Sequence, residues 1–162
     1  MTVAADAVQA LRAAGATVAT AESLTGGLVC AALVSVPGAS DVVRGGVVAY
    51  AAEIKISALG VDAALVAERG TVDAQVAAAM AVGARDRLGS TYGVATTGVA
   101  GPGPAEGHPA GTVHIAVAGP RGVATRRLEL SGDRDDIRTG TVGALLSWLV
   151  ATLGEESVIV RG

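Results

Sequence analysis

The run from Ala16 to Val36 does most to restrict what this chain can fold into. ATVAT (Ala16–Thr20) is short, β-branched and apolar and predicts a buried strand. LVCAALVSV (Leu28–Val36) has the apolar density and length of a buried helix. Between them lies Ala21-Glu22-Ser23-Leu24-Thr25-Gly26-Gly27, so a serine and a glycine pair sit where a strand turns into a helix. The first N–H groups of a helix lack intrahelical partners, and the helix dipole adds partial positive charge at the same place. Gly26 and Gly27 carry no side chain to keep a ligand from those groups. Two readings follow. Ser23 or Thr25 caps the helix and the glycines ease a tight turn, or the turn receives an oxyanion or a phosphate.

The remaining segments alternate in the same manner. A first helix is predicted after Thr2 and stops at Gly15, with Val3, Ala7 and Leu11 on its apolar side. Pro37-Gly38-Ala39-Ser40 makes a turn, GGVVAYA (Gly45–Ala51) a second strand, and AEIKISALG (Ala52–Gly60) a short helical turn. VDAALVAERG gives another short helix, and Asp73 to about Leu88 the clearest one, with Arg85, Asp86 and Arg87 facing water. TYGVATTG is a third strand, leading into GVAGPGPAEGHPAG, whose prolines and glycines exclude a regular interior. TVHIAVAG and GVATRRLEL form a hairpin-like pair of strands, and a long helix follows from Asp133 to about Leu153. ESVIV is expected to add an edge strand or to fray. Alternating strands and helices followed by a hairpin predict one α/β domain over residues 1–162, a mixed sheet with helices on both faces. Ser23, Tyr50 and Thr97 then lie at the carboxyl ends of three strands, where such sheets bind ligands.

Composition excludes several functions. The net charge is −3 and the aromatic residues are one tryptophan and two tyrosines, so neither a basic face nor stacking rings for nucleic acid are present. The single cysteine, Cys30, allows no internal disulfide and reads as a small core residue. Neither a signal peptide nor a membrane-spanning run is apparent, so a cytoplasmic protein without membrane contact is expected. No His/Cys/Asp set has metal-ligand spacing, and His108 and His114 suit a catalytic triad poorly.

Of twelve basic residues one is a lysine, Lys55. Arginine stays protonated at any pH a protein meets, whereas a desolvated lysine can lose its proton near neutrality and act as a base. The position that keeps lysine is either a survivor of coding bias or the one where arginine cannot serve. Tyr50, five residues earlier, is placed to hydrogen-bond it or is simply a half-buried strand tyrosine. A serine beside a neutral lysine forms an acyl-transfer site without histidine. In TTGVAGPGP (Thr96–Pro104), backbone amides near Gly98 are candidates for a phosphate or ribose, and the Thr97 hydroxyl for contact with the nucleophile. Arg134 and Arg138 either pair with the neighbouring Asp133, Asp135 and Asp136 or reach an anionic ligand.

TAESLTGG, GGVVAY followed by Lys55, ATTGVAGPGP, and GTVHIAVA followed by GDRDDIR together resemble, in order and spacing, the C-terminal domain family of the competence/damage-inducible protein CinA. The resemblance runs from about Val8 to Leu149. It implies a three-layer α/β/α sandwich and the activity of a nicotinamide-nucleotide amidohydrolase, which converts nicotinamide mononucleotide to nicotinic acid mononucleotide and ammonia. It implies Ser23 as nucleophile, Lys55 as general base, Tyr50 and Thr97 as partners in their network, and Ser40 and Arg138 among the substrate-binding groups. Backbone amides from Thr25 to Gly27 are the expected oxyanion donors. No metal or organic cofactor is implied, and a homodimer is. Departures from the family pattern are Leu24 in place of cysteine, Asp73 in place of serine, and His108-Pro109 in place of a Lys-Pro pair. The alternative is a non-catalytic nucleotide-binding or adaptor module that keeps the pocket without turnover.

Overall fold

The computed structural model describes residues 1–161, with side chains through residue 159. Its strands are β1 (Val18–Glu22), β2 (Val43–Val48), β3 (Tyr92–Gly98), β4 (Thr112–Gly119) and β5 (Gly122–Glu129). Its α-helices are α1 (Val3–Ala13), α2 (Leu28–Val34), α3 (Ala52–Leu59), α4 (Ala63–Arg69), α5 (Ala74–Leu88) and α6 (Arg134–Arg161). The sheet order is β2-β1-β3-β4-β5, with β1 parallel to both its neighbours and β3, β4 and β5 antiparallel. The expected mixed sheet and three-layer sandwich are both present.

A size alternation along the strands fixes which helices cover which face. Val18, Val94, Val113, Ile115 and Val117 point to one side and pack with Leu11 of α1, Leu33 of α2 and Leu145, Leu146, Trp148 and Leu149 of α6. Ala19, Ala21, Ala95, Ala116 and Ala118 point to the other and meet Val76, Ala77, Met80, Ala81 and Ala84 of α5. The alanine face lets α5 lie close to the sheet. A Cβ at Gly93 would stand 1.9 Å from the Ala81 carbonyl oxygen, and one at Gly83 would stand 2.0 Å from that of Leu59.

Several boundaries differ from expectation. The first strand runs from Val18 to Glu22, because the β3 pairing carries on to Glu22 opposite Thr96. The second strand is Val43–Val48, so Ala49 and Tyr50 have already left the sheet. The second helix is shorter than Leu28–Val36 and buries only Val29 and Leu33, which leaves Cys30 half-buried rather than in the core. Arg85 turns back from water to donate to the Gly119 carbonyl at 3.1 Å. ESVIV is neither strand nor frayed end: α6 continues through it, and the Glu156 carboxylate accepts from the Tyr92 hydroxyl and from Arg121 Nε. By length and mean hydropathy (1.4) Arg134–Ile159 would suffice to cross a bilayer, contrary to the reading that no run approaches a span. In the fold, its Ile137, Leu145, Leu146, Leu149 and Leu153 are buried.

Candidate active site

The carboxyl ends of β1, β2 and β3 open on a cleft of about 360 Å³. Its walls include Ser23 and Leu24 after β1, Tyr50 after β2, Thr71 and Val72 before α5, the Gly98–Glu106 loop after β3, and Arg134 at the start of α6.

Ser23 follows the last residue of β1, and its amide donates to the Thr96 carbonyl at 3.0 Å, which extends the β1–β3 pairing by one step. The hydroxyl of Ser23 accepts from Lys55 Nζ at 2.9 Å. Lys55 lies in the first turns of α3, and helical side chains lean towards the amino end of their helix. It therefore reaches back to the segment it has just left, donating to the Ala49 carbonyl at 2.7 Å and the Tyr50 carbonyl at 3.3 Å. Lys55 is only 1% exposed. Burial lowers its pKa from the usual 10.5 to about 8, against an opposing pull from the Glu106 carboxylate. A neutral amine has two N–H bonds and one lone pair. With the carbonyls of residues 49 and 50 taking the N–H bonds, the lone pair is left for the Ser23 hydroxyl.

The opposite face of the sheet supports the same turn. Glu22 is 1% exposed and its carboxylate accepts from the amides of Val29 (2.7 Å) and Cys30 (3.0 Å), from Thr25 Oγ1 (2.7 Å) and from Thr20 Oγ1 (3.4 Å). Thr25 Oγ1 and Thr96 Oγ1 lie 2.8 Å apart. The amino end of α2 is thus satisfied by a carboxylate from below, and the Gly26 amide donates to the Ser23 carbonyl at 3.0 Å. Gly26 (φ 58°) and Gly27 (φ 103°) take left-handed conformations that complete the turn. Of the three amides expected to receive an oxyanion only that of Gly26 is occupied; those of Thr25 and Gly27 make no hydrogen bond among the described residues. The Leu24 amide, beside the cleft, makes no hydrogen bond among the described residues.

The other candidates fall in distinct places. Thr97 is buried on the Lys55 side of the sheet, and its hydroxyl donates to the Thr71 carbonyl at 2.7 Å. Tyr50 contributes its carbonyl to the lysine, while its exposed ring carries a hydroxyl that accepts from Arg134 Nη2 at 3.1 Å. Arg138 donates through Nε to the Leu24 carbonyl at 2.9 Å and through Nη2 to the Thr25 carbonyl at 3.3 Å, and pairs with Asp135 at 3.5 Å. Gly98 lines the cleft, and a Cβ there would stand 2.6 Å from the Thr112 carbonyl oxygen. Ser40 is not brought to the cleft. It is exposed in a 3-10 turn (Ala39–Asp41) leading into β2 at Val43, which pairs with the first residue of β1, at the far end of that strand from Ser23.

Glu22, Thr96 and Glu106 were not weighed from the sequence. An acid in an apolar strand, flanked by threonines at positions 20 and 25, is the signal that could have marked Glu22. Glu106 fastens the Pro/Gly loop across the cleft by accepting from the Thr71 amide at 2.9 Å and from Thr71 Oγ1 at 2.5 Å. Asp73, a departure from the family pattern, caps α5 by accepting from the Gln75 amide at 2.7 Å. Among the described residues no His, Cys, Asp and Glu side chains are grouped to hold a metal ion.

An open mixed sheet in which a serine hydroxyl meets a buried lysine amine at the carboxyl ends of parallel strands defines an α/β protein with a Ser–Lys site. The chain belongs to the family of the CinA C-terminal domain, whose family model matches residues 1–153. A CinA-like protein of Frankia casuarinae is 59% identical over 131 residues, covering 81% of this chain and 30% of the relative. A CinA-like protein of a Synechococcus species is 50% identical over 145 residues, covering 88% and 35%. The chain thus spans about a third of the length of these curated relatives. The solved structure of a CinA superfamily protein from Klebsiella pneumoniae superposes with a TM-score of 0.92 at 30% identity, covering 94% of this chain and 96% of that one. The competence/damage-inducible protein CihA from Agrobacterium tumefaciens gives a TM-score of 0.89 at 37% identity, with 94% and 93% coverage.

Proposed function

We propose that the chain hydrolyses the carboxamide of nicotinamide mononucleotide to nicotinic acid mononucleotide and ammonia, with Ser23 as nucleophile and Lys55 as general base. The observation that carries this reading is the 2.9 Å contact between a serine hydroxyl and a buried amine whose pKa lies near 8. At pH 7 roughly a tenth of such amines are neutral, enough to serve as a base without histidine.

In the first half-reaction the neutral Lys55 amine takes the Ser23 proton as Oγ bonds to the carboxamide carbon. The carbonyl π electrons move to oxygen, giving a tetrahedral oxyanion. The free amides of Leu24, Thr25 and Gly27, in the turn that follows the serine, are the donors to receive that charge. The oxyanion collapses, the C–N bond breaks, and the Lys55 ammonium gives its proton to the departing nitrogen, which leaves as ammonia. Water then attacks the acyl-serine with Lys55 as base again, releasing the carboxylate and restoring the hydroxyl. The Ala49 and Tyr50 carbonyls hold the amine in both charge states: two N–H bonds when neutral, and three donors shared with Ser23 Oγ when protonated.

The test is ammonia release from nicotinamide mononucleotide by purified protein and by Ser23→Ala and Lys55→Arg. Loss in both variants is expected, the second because guanidinium cannot give up its proton. Full activity in the arginine variant removes Lys55 as the base. Nucleotide binding by the unaltered protein without ammonia release would favour the adaptor module.

A further inference from the structure

We propose that a second cavity, built around His114 and separate from the cleft, binds a small oxyanion that still carries a proton, hydrogen phosphate being the simplest. The cavity has a volume of about 440 Å³, and its walls include Glu68, Arg69, Asp73, His108, His114 and Arg127. Val72 stands between it and the cleft. Strand register builds one wall. His114 on β4 lies opposite Thr97 on β3 and Arg127 on β5, and directly paired residues project from the same face of a sheet. On that face α5 begins only at Ala74, so the link from α4 to α5 and the turn at residues 105–108 complete the enclosure. Ala105 and His108 close that turn by exchanging main-chain hydrogen bonds at 3.0 and 2.9 Å.

His114 is what points to a ligand. It is 8% exposed, and its Nδ1 is buried with no hydrogen-bond partner among the described residues. A buried polar atom left in that condition is costly and uncommon. Burial above all, with the Arg127 guanidinium and His108, holds its pKa below the usual 6.5 against the pull of Asp73. At neutral pH the ring therefore offers one N–H and one lone pair. The charged neighbours divide into engaged and available. Asp73 caps α5 through the Gln75 and Val76 amides and pairs with Arg69 at 3.7 Å. Arg127 meets only Glu129, at 3.4 Å between two exposed side chains, which holds it weakly. Glu68 makes no ion pair or hydrogen bond among the described residues. The cavity thus presents donors on Arg127 and His108 beside acceptors on Glu68 and His114. A ligand that answers both carries negative charge for the guanidinium and keeps an O–H for the carboxylate or the imidazole lone pair. Hydrogen phosphate has both at neutral pH, whereas sulfate has the same shape and has lost its O–H. A metal ion fits less well, because no His, Cys, Asp and Glu side chains are grouped to hold one among the described residues.

The experiment is thermal unfolding and calorimetry of the full chain at neutral pH, in a buffer free of oxyanions, with inorganic phosphate and sulfate as probes. Phosphate at about 20 mM should raise Tm by about 3 °C or more, with a Kd near or below about 1 mM. Sulfate should bind at least about tenfold more weakly. Arg127→Gln, on the exposed outer strand, and His114→Leu should each weaken phosphate binding about tenfold or more. Without phosphate, His114→Leu should unfold no earlier than the unaltered protein, since leucine leaves no orphaned nitrogen. If His114→Leu does not fold, Arg127→Gln carries the test. Arg134→Gln, in the cleft, should leave most of the phosphate shift in place. Loss of that shift in Arg134→Gln but not in Arg127→Gln places the ion in the cleft and overturns the assignment. So do absence of phosphate binding, equal binding of sulfate, indifference to the Arg127 and His114 substitutions, or stabilisation by zinc ion but not by phosphate.

Discussion

Glu22 and Ser23 are consecutive in the chain and serve opposite faces of the sheet. The carboxylate of Glu22 holds the amino end of α2, while the hydroxyl of Ser23 meets Lys55 on the α3 side. The alternation of a strand therefore separates the group that builds the turn from the group that reacts.

Replacing Glu22 tests that division. Glu22→Gln keeps the size but sets an NH₂ group where the carboxylate meets N–H donors, and should cost about 1–3 kcal/mol of stability. Because the disturbed turn carries Ser23, kcat should fall with little change in KM. Denaturant titration and steady-state kinetics read the two effects. Unchanged stability in Glu22→Gln would mean that the Val29 and Cys30 amides find other partners.

The pH dependence of turnover follows from Lys55. With a pKa of about 8, the amine is protonated below that value and cannot accept the Ser23 proton. The rate should rise tenfold per pH unit up to about 8 and level off above it. A profile that is flat between pH 6 and 9, conditions spanning roughly one to two units either side of the pKa, contradicts this.

Stability should respond to the same group. Lys55 has a lowered pKa in the folded chain, about 8 against 10.5 when unfolded. Below pH 8 both states are protonated and the folded state bears the full cost of the buried charge, roughly 3 kcal/mol. Between about 8 and 10.5 the unfolded chain binds the extra proton, so stability climbs with pH. Tyr92, whose pKa is raised by burial and by Glu156, acts in the opposite sense above its usual 10.0. The slope is therefore best read between pH 8 and 10, and Lys55→Met should abolish it while raising stability at pH 7.

Gly46 offers a test of packing beneath the site. A Cβ there would lie 2.2 Å from Thr20 Oγ1 and 3.4 Å from Cys30 Sγ. Gly46→Ala should cost about 1–3 kcal/mol through overpacking. Adding Thr20→Ala should return most of it, since the hydroxyl in the way contributes only a 3.4 Å contact to Glu22. Thermal unfolding of the two single variants and the double variant measures the coupling.

The Ser23–Lys55 pair was legible in the sequence because each residue stood out from a plain background: a polar turn between apolar segments, and one lysine among arginines. The mixed sheet was legible because strands alternate with helices before a closing hairpin, and the three-layer sandwich came with the family resemblance. The strand ends were not. Alanine fits either a strand or a turn, so only the pairing of Glu22 with Thr96 sets where β1 stops. Glu22 was missed because a carboxylate at a turn is ordinarily solvated, and its burial depends on α2 folding over it. Of Thr96 and Thr97, adjacency in sequence gives no hint of which face each serves. The fold gives Thr96 to the Ser23 turn and Thr97 to the Thr71 strap. Ser40, implied by the resemblance alone, lies at the far end of β1 from Ser23 because its turn leads into the start of β2, and β2 runs parallel to β1.

The amine of Lys55 is oriented by two main-chain oxygens, those of Ala49 and Tyr50. Whatever side chains evolution installs at those two positions, the oxygens stay, provided the backbone keeps its course out of β2. Sequence drift around the pocket is therefore free to remodel what the cleft admits while the reactive pair keeps its aim.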